Sequence, residues 1–300
     1  MEREEVCIQC PRKCKKQRLA GQVKTYGYCR VSTEVRVARA ALHFWEEPCI
    51  SGEEGSGTVF FSGCNLQCVY CQNVEIAKGV RGKTVSIERL AEIFLELQEK
   101  GANNINLVTP SHYYPQIKEA LLLVKEKLLI PIIANTSSYD SVESLQGMEG
   151  LVDIYLADFK YLDYQLAKKY SNAADYPQVA IKALNEMFRQ VGEPVFDREG
   201  RMKKGMLIRH LLLPGYKEDS KAVLKYLYEA FGDSVFISIM NQYTPLSHMT
   251  SYPELNRPVT KEEYEEVVNF AIDLGIENGF IQEGETAKES FIPAFDGEGI

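Results

Sequence analysis

The chain has 300 residues, of which 45% are hydrophobic and 25% are charged, and its formal net charge is −8 at pH 7. This balance is ordinary for a large globular α/β domain, with or without a small appendage. The acidic excess argues against a nucleic-acid or membrane-surface binder, and no apolar run approaches the ~18 residues that a membrane span requires. The first residues, MEREEVCIQC, contain no apolar signal-peptide core. We therefore expect a cytoplasmic protein that binds neither nucleic acid nor a membrane.

A cysteine-rich segment, residues 1–50, opens the chain, and we expect it to be distinct from a main unit formed by residues 51–300. Four of the eight cysteines follow the pattern Cys7-x2-Cys10-x3-Cys14-x14-Cys29. Disulfide scaffolds are short and secreted and carry cysteines throughout, whereas no cysteine follows residue 71 here, so metal or cluster ligation is the better interpretation. Four thiolates suit a structural zinc ion or a fully ligated auxiliary Fe–S cluster, and reduced, unliganded thiols are a third alternative. Cys49 is a spare that is free to join the site.

Regular structure is expected from about residue 35 onwards. We expect VRVARAALHFWEE (35–47) to be a short helix with Trp45 against the main body, and SGEEGSG (51–57) to mark the seam. Six apolar runs, typical of parallel strands buried on both faces, then occur at 58–62, 105–109, 130–135, 152–157, 207–213 and 235–240. Helical patterns occur at about 86–101, 114–127, 178–190, 221–231 and 260–275. The alternation predicts a parallel βα array, an open or closed barrel, with its chemistry at the C-terminal ends of the strands.

Three cysteines in the order C-x3-C-x2-C lie directly after the first apolar run, at Cys64, Cys68 and Cys71. A [4Fe–4S] cube needs one ligand for each iron, and this spacing lets the loop curl round the cube while one iron stays open to a small molecule. Gly63 permits a tight turn beside the cluster, and Tyr70 is placed to shield the cube or to touch the bound molecule. A zinc site with a fourth ligand elsewhere is the alternative.

The C-x3-C-x2-C motif at the end of the first strand of a βα barrel resembles the radical S-adenosylmethionine (SAM) superfamily. The similarity extends over essentially the full chain to the PflX-type homologues of the pyruvate formate-lyase activating enzyme. It is carried by ARAALHFWEEPCISGEEGSGTVFFSGCNLQCVYCQN, VDIYLADFKY, IRHLLLPG, NQYTP and FIPAFDGEG. The resemblance implies a partial (β/α)6 TIM-like barrel of the radical SAM type, with the small cysteine-rich segment added at its N-terminus.

The same resemblance implies the cofactors and the reaction. Cys64, Cys68 and Cys71 would hold a [4Fe–4S] cluster whose open iron binds the amino and carboxylate groups of SAM. An electron, supplied by a donor such as flavodoxin or ferredoxin, then splits the sulfonium into methionine and a 5′-deoxyadenosyl radical, which takes a hydrogen atom from the substrate. Among activating enzymes the substrate is a glycine of a partner glycyl radical enzyme. Modification of a small molecule or a peptide is one alternative, and a non-enzymatic, zinc-binding regulatory protein is another.

Four residues are candidates for contacts to SAM. Activating enzymes present Gly-Gly-Glu after the second strand for the amino group, whereas this chain has LVTPSHY, so Thr109 and nearby backbone carbonyls take its place. Asn135 ends the third strand, where its amide is suited to a ribose hydroxyl. Asp158 and Lys160 resemble the Asp-x-Lys of activating enzymes, and alternation along a strand puts both side chains on one side. Lys160 would hold the carboxylate of SAM, and Asp158 would orient Lys160 or meet the ribose. Turn, cap and ion-pair roles are the structural alternatives, and the sequence assigns no catalytic side chain.

Four residues of the later strands are equally consistent with a packing role and with a functional role: Arg209, His210, Gln242 and Tyr243.

Overall fold

The computed structural model describes residues 7–16, 18, 27–246, 249–282 and 293–300. The strands are β1 (Val35–His43), β2 (Ser56–Phe61), β3 (Lys83–Val85), β4 (Ile105–Val108), β5 (Ile132–Thr136), β6 (Ile154–Asp158), β7 (Val195–Phe196), β8 (Met202–Leu211), β9 (Phe236–Met240) and β10 (Gly279–Ile281). The helices are α1 (Pro48–Ser51), α2 (Val74–Ala77), α3 (Ile87–Glu99), α4 (Tyr114–Val124), α5 (Val142–Gln146), α6 (Tyr164–Ser171), α7 (Tyr176–Val191), α8 (Lys217–Phe231) and α9 (Lys261–Leu274).

The central sheet is mostly parallel, which confirms the expected α/β fold. Its strand order is β10-β9-β8-β6-β5-β4-β2-β1-β3, with β7 paired to β8 beside this path. Every pairing from β2 to β10 along the path is parallel, and the six expected strands correspond to β2, β4, β5, β6, β8 and β9. Because the C-terminal ends of parallel strands meet at one edge, the loops that follow these strands lie together. The division of the chain at residue 50 stays a prediction.

The helix expected over VRVARAALHFWEE is wrong, because Val35–His43 forms β1. This strand pairs antiparallel with β2, from Arg39 opposite Phe60 to His43 opposite Ser56. A short apolar run is ambiguous between helix and strand, and here the open edge of β2 decides the outcome by offering a full set of backbone partners. Trp45, expected against the main body, is 63% exposed.

The helix boundaries read from capping residues agree with the structure. The Ser86 side chain accepts the backbone N–H of Arg89 at the start of α3. Thr260 and Glu263 form a reciprocal capping box at the start of α9, and Gly275 ends that helix in the left-handed conformation at φ 89°. Among the described residues, none of the helices is both long enough and apolar enough to cross a lipid bilayer.

Alternation along the strands divides the sheet into two faces. The face towards the helices carries the main core, whose members include Leu90, Phe94, Ile117, Tyr155 and Ile208. A smaller inner core lies on the other face and contains Cys49, Ile50, Ile133, Ile154, Leu156, Met202 and Leu207. Cys49 therefore packs as an apolar side chain inside the sheet and does not join the N-terminal thiols. Because successive inner-face positions are two residues apart, the next inner residues on β5, β6 and β8 are Asn135, Asp158 and Arg209.

Candidate functional site

A cavity of about 250 Å³ lies above the inner core, at the C-terminal ends of the strands. Its lining includes all of the residues that the sequence assigns to the cluster and to SAM: Cys64, Cys68, Cys71, Thr109, Asn135, Asp158 and Lys160. The ends of β2, β4, β5 and β6 deliver these side chains, and the loop after β2 carries the three cysteines. We call residues 63–73 the cluster loop.

The cluster loop directs hydrogen-bond donors at its sulfur atoms. The backbone N–H groups of Leu66 and Gln67 lie 3.3 Å and 3.4 Å from the Cys64 Sγ. The Ser171 hydroxyl at the end of α6 donates to the Cys68 Sγ at 3.1 Å. Donors to sulfur favour the thiolate form, which is the form that binds a metal. The loop therefore stabilises negative charge on the atoms that would ligate iron.

Burial works in the opposite direction and outweighs the nearby positive charge of Lys160. It raises the pKa of Cys64 to about 11 and, with help from the neighbouring thiols, that of Cys71 to about 12. A bound metal cation reverses the rise in the thiol pKa values, because coordination deprotonates a thiol outright. The donor set thus fits an iron–sulfur cube, and three cysteines leave one of its irons without a protein ligand.

The arrangement of the possible ligands favours an iron–sulfur cube over a single metal ion in the cluster loop. Among the residues that the structure describes, no group of three or more His, Cys, Asp or Glu side chains is arranged to hold one metal ion. A cube distributes its ligands over separate irons and does not require them to converge on one point. A single zinc ion would require the side chains to move together.

A charged network lines the same cavity as the thiols. The Lys160 Nζ lies 2.8 Å from Asp158, and the Arg209 Nε lies 2.9 Å from the other oxygen of the same carboxylate. A second nitrogen of Arg209 lies 2.8 Å from Glu46, which reaches the site from the chain after β1. The network joins two cations and two carboxylates in a space that is largely closed to water.

The network fixes the charge state of its members. Burial alone would raise the pKa of Asp158, but Lys160 and Arg209 hold it below its ordinary value. Burial would likewise lower the pKa of Lys160, but the Asp158 carboxylate raises it. Arg209 also has a raised pKa, because Asp158 and Glu46 outweigh its burial. Asp158, Lys160 and Arg209 therefore stay charged at neutral pH, which suits the binding of charged ligand groups.

Asn135 and Thr109 complete the wall with backbone and amide groups. The Asn135 Oδ1 accepts a hydrogen bond of 2.8 Å from Arg209, so its amide is oriented by the network. Thr109 has a left-handed backbone with φ 58°, and its N–H donates to the Asn135 carbonyl at 2.8 Å. A β-branched residue in this conformation is strained, and such strain is concentrated at functional sites.

Several lining residues were not assigned by the sequence. Glu46 was missed because its segment was read as a helix, although the acidic pair after an apolar run was visible. Arg209 and Gln242 line the cavity, as does Gln72, whereas His210 and Tyr243 are buried outside it. His210 bonds the Phe159 carbonyl and the Ser220 hydroxyl. Side chains alternate along a strand, so neighbouring residues face opposite sides of the sheet, and only one of the two can line the cavity.

His112 and Tyr70 lie near the predicted motifs, but only Tyr70 lines the cavity. His112 is 1% exposed, and its Nε2 bonds the Ser62 carbonyl at 2.8 Å. Burial, with the nearby Arg18, lowers the pKa of His112 to about 3, so it is a neutral packing residue. Tyr70 lines the cavity, and its hydroxyl accepts a hydrogen bond of 2.6 Å from Tyr161. That position is compatible with shielding a bound cube.

The N-terminal cysteines form a second group of free thiols, in which Cys10 and Cys29 are buried and Cys7 and Cys14 are half-buried. Burial raises the pKa of Cys10 to about 12, and the other three thiols of the group add to the effect. A Cβ atom on Gly27 would stand 2.7 Å from the Cys14 Sγ and 4.0 Å from the Cys29 Sγ. The chain at Gly27 therefore lies directly against these two sulfur atoms.

Comparison with known proteins identifies the family. Residues 58–227 match the sequence profile described as the Radical SAM superfamily. This match covers more than half of the chain, and the chain therefore belongs to the radical SAM superfamily. An uncharacterized protein of Methanocaldococcus jannaschii, MJ0674, is 28% identical over 254 residues, which cover 82% of this chain and 69% of that protein.

Two solved structures match part of the chain. Streptococcus suis SuiB bound to the precursor peptide SuiA has 13% sequence identity and a TM-score of 0.49, covering 74% of this chain and 47% of that chain. SuiB bound to S-adenosylmethionine gives the same identity and TM-score, covering 74% of this chain and 49% of that chain. The chain thus spans about half the length of the solved structures it matches.

Proposed function

We propose that this member of the radical SAM superfamily cleaves SAM reductively at a [4Fe–4S] cluster and uses the product to abstract a hydrogen atom from its substrate. The observation that carries the proposal is the meeting of three thiols with an Asp158–Lys160 pair in one cavity at the strand ends. Cys64, Cys68 and Cys71 would hold the cluster, and when bound the cluster and SAM supply one-electron cleavage of the sulfonium followed by hydrogen abstraction.

The side chains of this chain bind, orient and shield. Lys160 is the candidate for the carboxylate of SAM, and Asp158 holds Lys160 in its charged form. Asn135 is the candidate for a ribose hydroxyl, and the strained Thr109 for the amino end. The inner core beneath the cavity excludes water from below, which protects a reactive species from quenching.

For the substrate we propose a glycine of a partner glycyl radical enzyme, with flavodoxin or ferredoxin as the electron donor. The resemblance of residues 38–73, 152–161 and 291–299 to activating enzymes supports this assignment. Modification of a peptide or a small molecule begins with the same initiating chemistry. The absence of the Gly-Gly-Glu stretch from LVTPSHY is the feature of the sequence that favours this alternative.

The test of the reaction is formation of 5′-deoxyadenosine by anaerobically reconstituted protein with a strong reductant and SAM. Replacing Cys64, Cys68 or Cys71 by Ala should abolish the product in each case. Cys49→Ala is the matched control, because it also removes a buried cysteine but one that packs in the inner core. Continued cleavage in all three cluster-loop variants would refute the assignment.

The test of the substrate uses isotope transfer. With a glycyl radical enzyme from the same organism labelled with deuterium at glycine, the recovered 5′-deoxyadenosine should carry deuterium. Product that forms at the same rate without the partner, or that carries no deuterium, would favour a peptide or a small molecule instead.

A further inference from the structure

We propose that Cys7, Cys10, Cys14 and Cys29 bind a metal centre through four thiolates, and that this centre holds Arg12 against the cluster loop. The inference goes beyond the proposed reaction and needs only that the cluster loop holds its cluster. Its occupant is either a fully ligated iron–sulfur cluster, whose ligands bind separate irons, or a zinc ion, for which the four thiols would have to move together. On this proposal the N-terminal centre stabilises the loop and takes no part in bond cleavage.

The first observation is the local structure of the cysteine segment, residues 7–16. It contains no helix or strand, yet it folds back on itself, with the Cys7 N–H bonded to the Lys16 carbonyl at 2.9 Å and the Lys15 N–H bonded to the Cys7 carbonyl at 3.2 Å. Cys10 is the one buried apolar residue within this short stretch. The apolar contribution of this segment to the core is therefore small, and a metal crosslink would hold the turn together.

The second observation is that the sulfur atoms of this group lie close to shared neighbours and face a hydrogen-bond donor. The Cys14 Sγ and the Cys29 Sγ both lie beside Gly27, and the Arg18 guanidinium lies 4.0 Å from the Cys7 Sγ. The cluster loop also directs a donor at sulfur, where the Leu66 N–H lies 3.3 Å from the Cys64 Sγ. Hydrogen bonds of this kind orient ligands and tune them for a metal.

The third observation is the position of Arg12, which lies between Cys10 and Cys14 in the sequence. Its guanidinium donates to the carbonyls of Asn65 at 2.9 Å and Leu66 at 3.3 Å, both between the first two ligands of the cluster loop. It also donates to the Ser171 carbonyl at 2.8 Å, at the C-terminal end of α6. A cation is favoured at that end of a helix.

The cysteine segment and the cluster loop are tightly packed around the Arg12 guanidinium. The Arg12 guanidinium lies over the ring of Tyr28, at 3.9 Å from its centroid. The Gln67 side chain donates to the Tyr28 carbonyl. A Cβ atom on Gly63 would approach the Cys29 carbonyl oxygen to 2.6 Å. A movement of the cysteine segment would therefore be transmitted directly to the loop that carries Cys64 and its partners.

The site itself is tested by metal content. The Cys64→Ala/Cys68→Ala/Cys71→Ala protein, purified without oxygen, keeps the four N-terminal thiols. It should retain about one zinc, or about four irons with matching sulfide, and lose this metal when Cys10→Ser and Cys29→Ser are added. The ratio of zinc to iron and sulfide identifies the occupant. The proposal would be overturned if the triple-alanine protein held no more metal than the variant that carries all five substitutions.

The coupling is tested by release of cluster iron to a chelator, with the triple-alanine variant giving the contribution of the N-terminal site. Arg12→Ala should speed release roughly five-fold or more, because several hydrogen bonds to the loop are lost. Lys16→Ala, an exposed change in the same segment, is the control and should leave the rate unchanged. Arg12→Lys should fall between, since it keeps the charge but not the planar fork.

A combined variant separates this mechanism from general damage. Cys10→Ser should speed iron release as Arg12→Ala does, and the two changes together should add little to either alone, because both remove the same contact. Release at the parent rate in Arg12→Ala, or fully additive effects, would overturn the coupling. None of these measurements uses SAM cleavage, so a failed reaction would leave them interpretable.

Discussion

Arg209 is the residue on which the cavity wall depends most, and its replacement by Met gives a prediction that can be worked from the structure. The guanidinium bonds Asp158 at 2.9 Å, Glu46 at 2.8 Å and the Asn135 amide oxygen at 2.8 Å. The side chains of Arg209, Glu46 and Asp158 are only 13%, 10% and 22% exposed. The variant keeps an unbranched, space-filling side chain and removes the charge and the donors.

The Arg209→Met substitution affects the carboxylates of Asp158 and Glu46 unequally. Asp158 keeps Lys160 at 2.8 Å, whereas no other ion pair to Glu46 occurs in the part of the chain that the structure describes. Glu46 keeps only the amide of Asn106 at 3.0 Å and a weaker contact to Asn135 at 3.3 Å. Breaking one side of a buried pair costs about 3–5 kcal/mol, and we expect Arg209→Met to lower the free energy of unfolding by that amount.

Urea unfolding of the reduced, cluster-free protein, followed by circular dichroism, measures this loss. Adding Glu46→Gln should restore part of the stability, because it removes the charge left without a partner. Arg89→Met is the matched control: Arg89 also pairs with two carboxylates, but these, Glu92 and Glu96, are 64% and 42% exposed, so its loss should leave the unfolding curve near that of the parent. A loss below about 1 kcal/mol in Arg209→Met, or no recovery with Glu46→Gln, would refute the reasoning.

Three further predictions concern the potential of the cluster, pH dependence and the cluster loop. Ser171→Ala removes the hydroxyl 3.1 Å from the Cys68 Sγ, which should make the cluster harder to reduce, by on the order of tens of millivolts in a redox titration; an unchanged or more positive potential would contradict this. Burial raises the pKa of Asp219 to about 6 from its ordinary 3.8, so its contribution to stability is present below about pH 4 and is lost as the pH rises through 6. Asp219→Asn should therefore gain roughly 2 kcal/mol relative to the parent between pH 4 and pH 7 in urea titrations, and a constant difference would count against it. Gly63 and Gly150 both have left-handed backbones, with φ 89° and φ 75°, but only at Gly63 would a Cβ atom meet a backbone carbonyl, at 2.6 Å. Gly63→Ala should accordingly cost about 1–3 kcal/mol more than Gly150→Ala, and equal losses would show that the loop can move away.

The parallel part of the fold was predictable because its strands are long apolar runs separated by helices with clear capping residues. Ser86, Thr260 and Gly275 marked boundaries that the structure reproduces. The expectation failed at β1, where the same residues suit a helix or a strand and the choice depends on pairing with β2. Tertiary pairing of this kind has no local signal.

The site was predictable where one motif or one alternation rule sufficed. The spacing of the cysteines identified the cluster loop, and the period of two along β6 placed Asp158 and Lys160 together. Glu46 could not be placed, because its contact with Arg209 joins residues 163 positions apart. Such a contact follows from the antiparallel addition of β1 and not from any nearby pattern.

The position of β1 also explains how the cavity suits its expected ligand. Because it pairs antiparallel with β2, this strand ends opposite Ser56 at the start of β2, and the chain beyond it carries Glu46 over the inner face, where it meets Arg209. The wall then contains two carboxylates and two cations, which cancel before any ligand arrives. A ligand that carries both an ammonium and a carboxylate can exchange partners with such a set without leaving an unpaired charge in a site closed to water. The network therefore suits an amino acid-like end, which carries one charge of each sign.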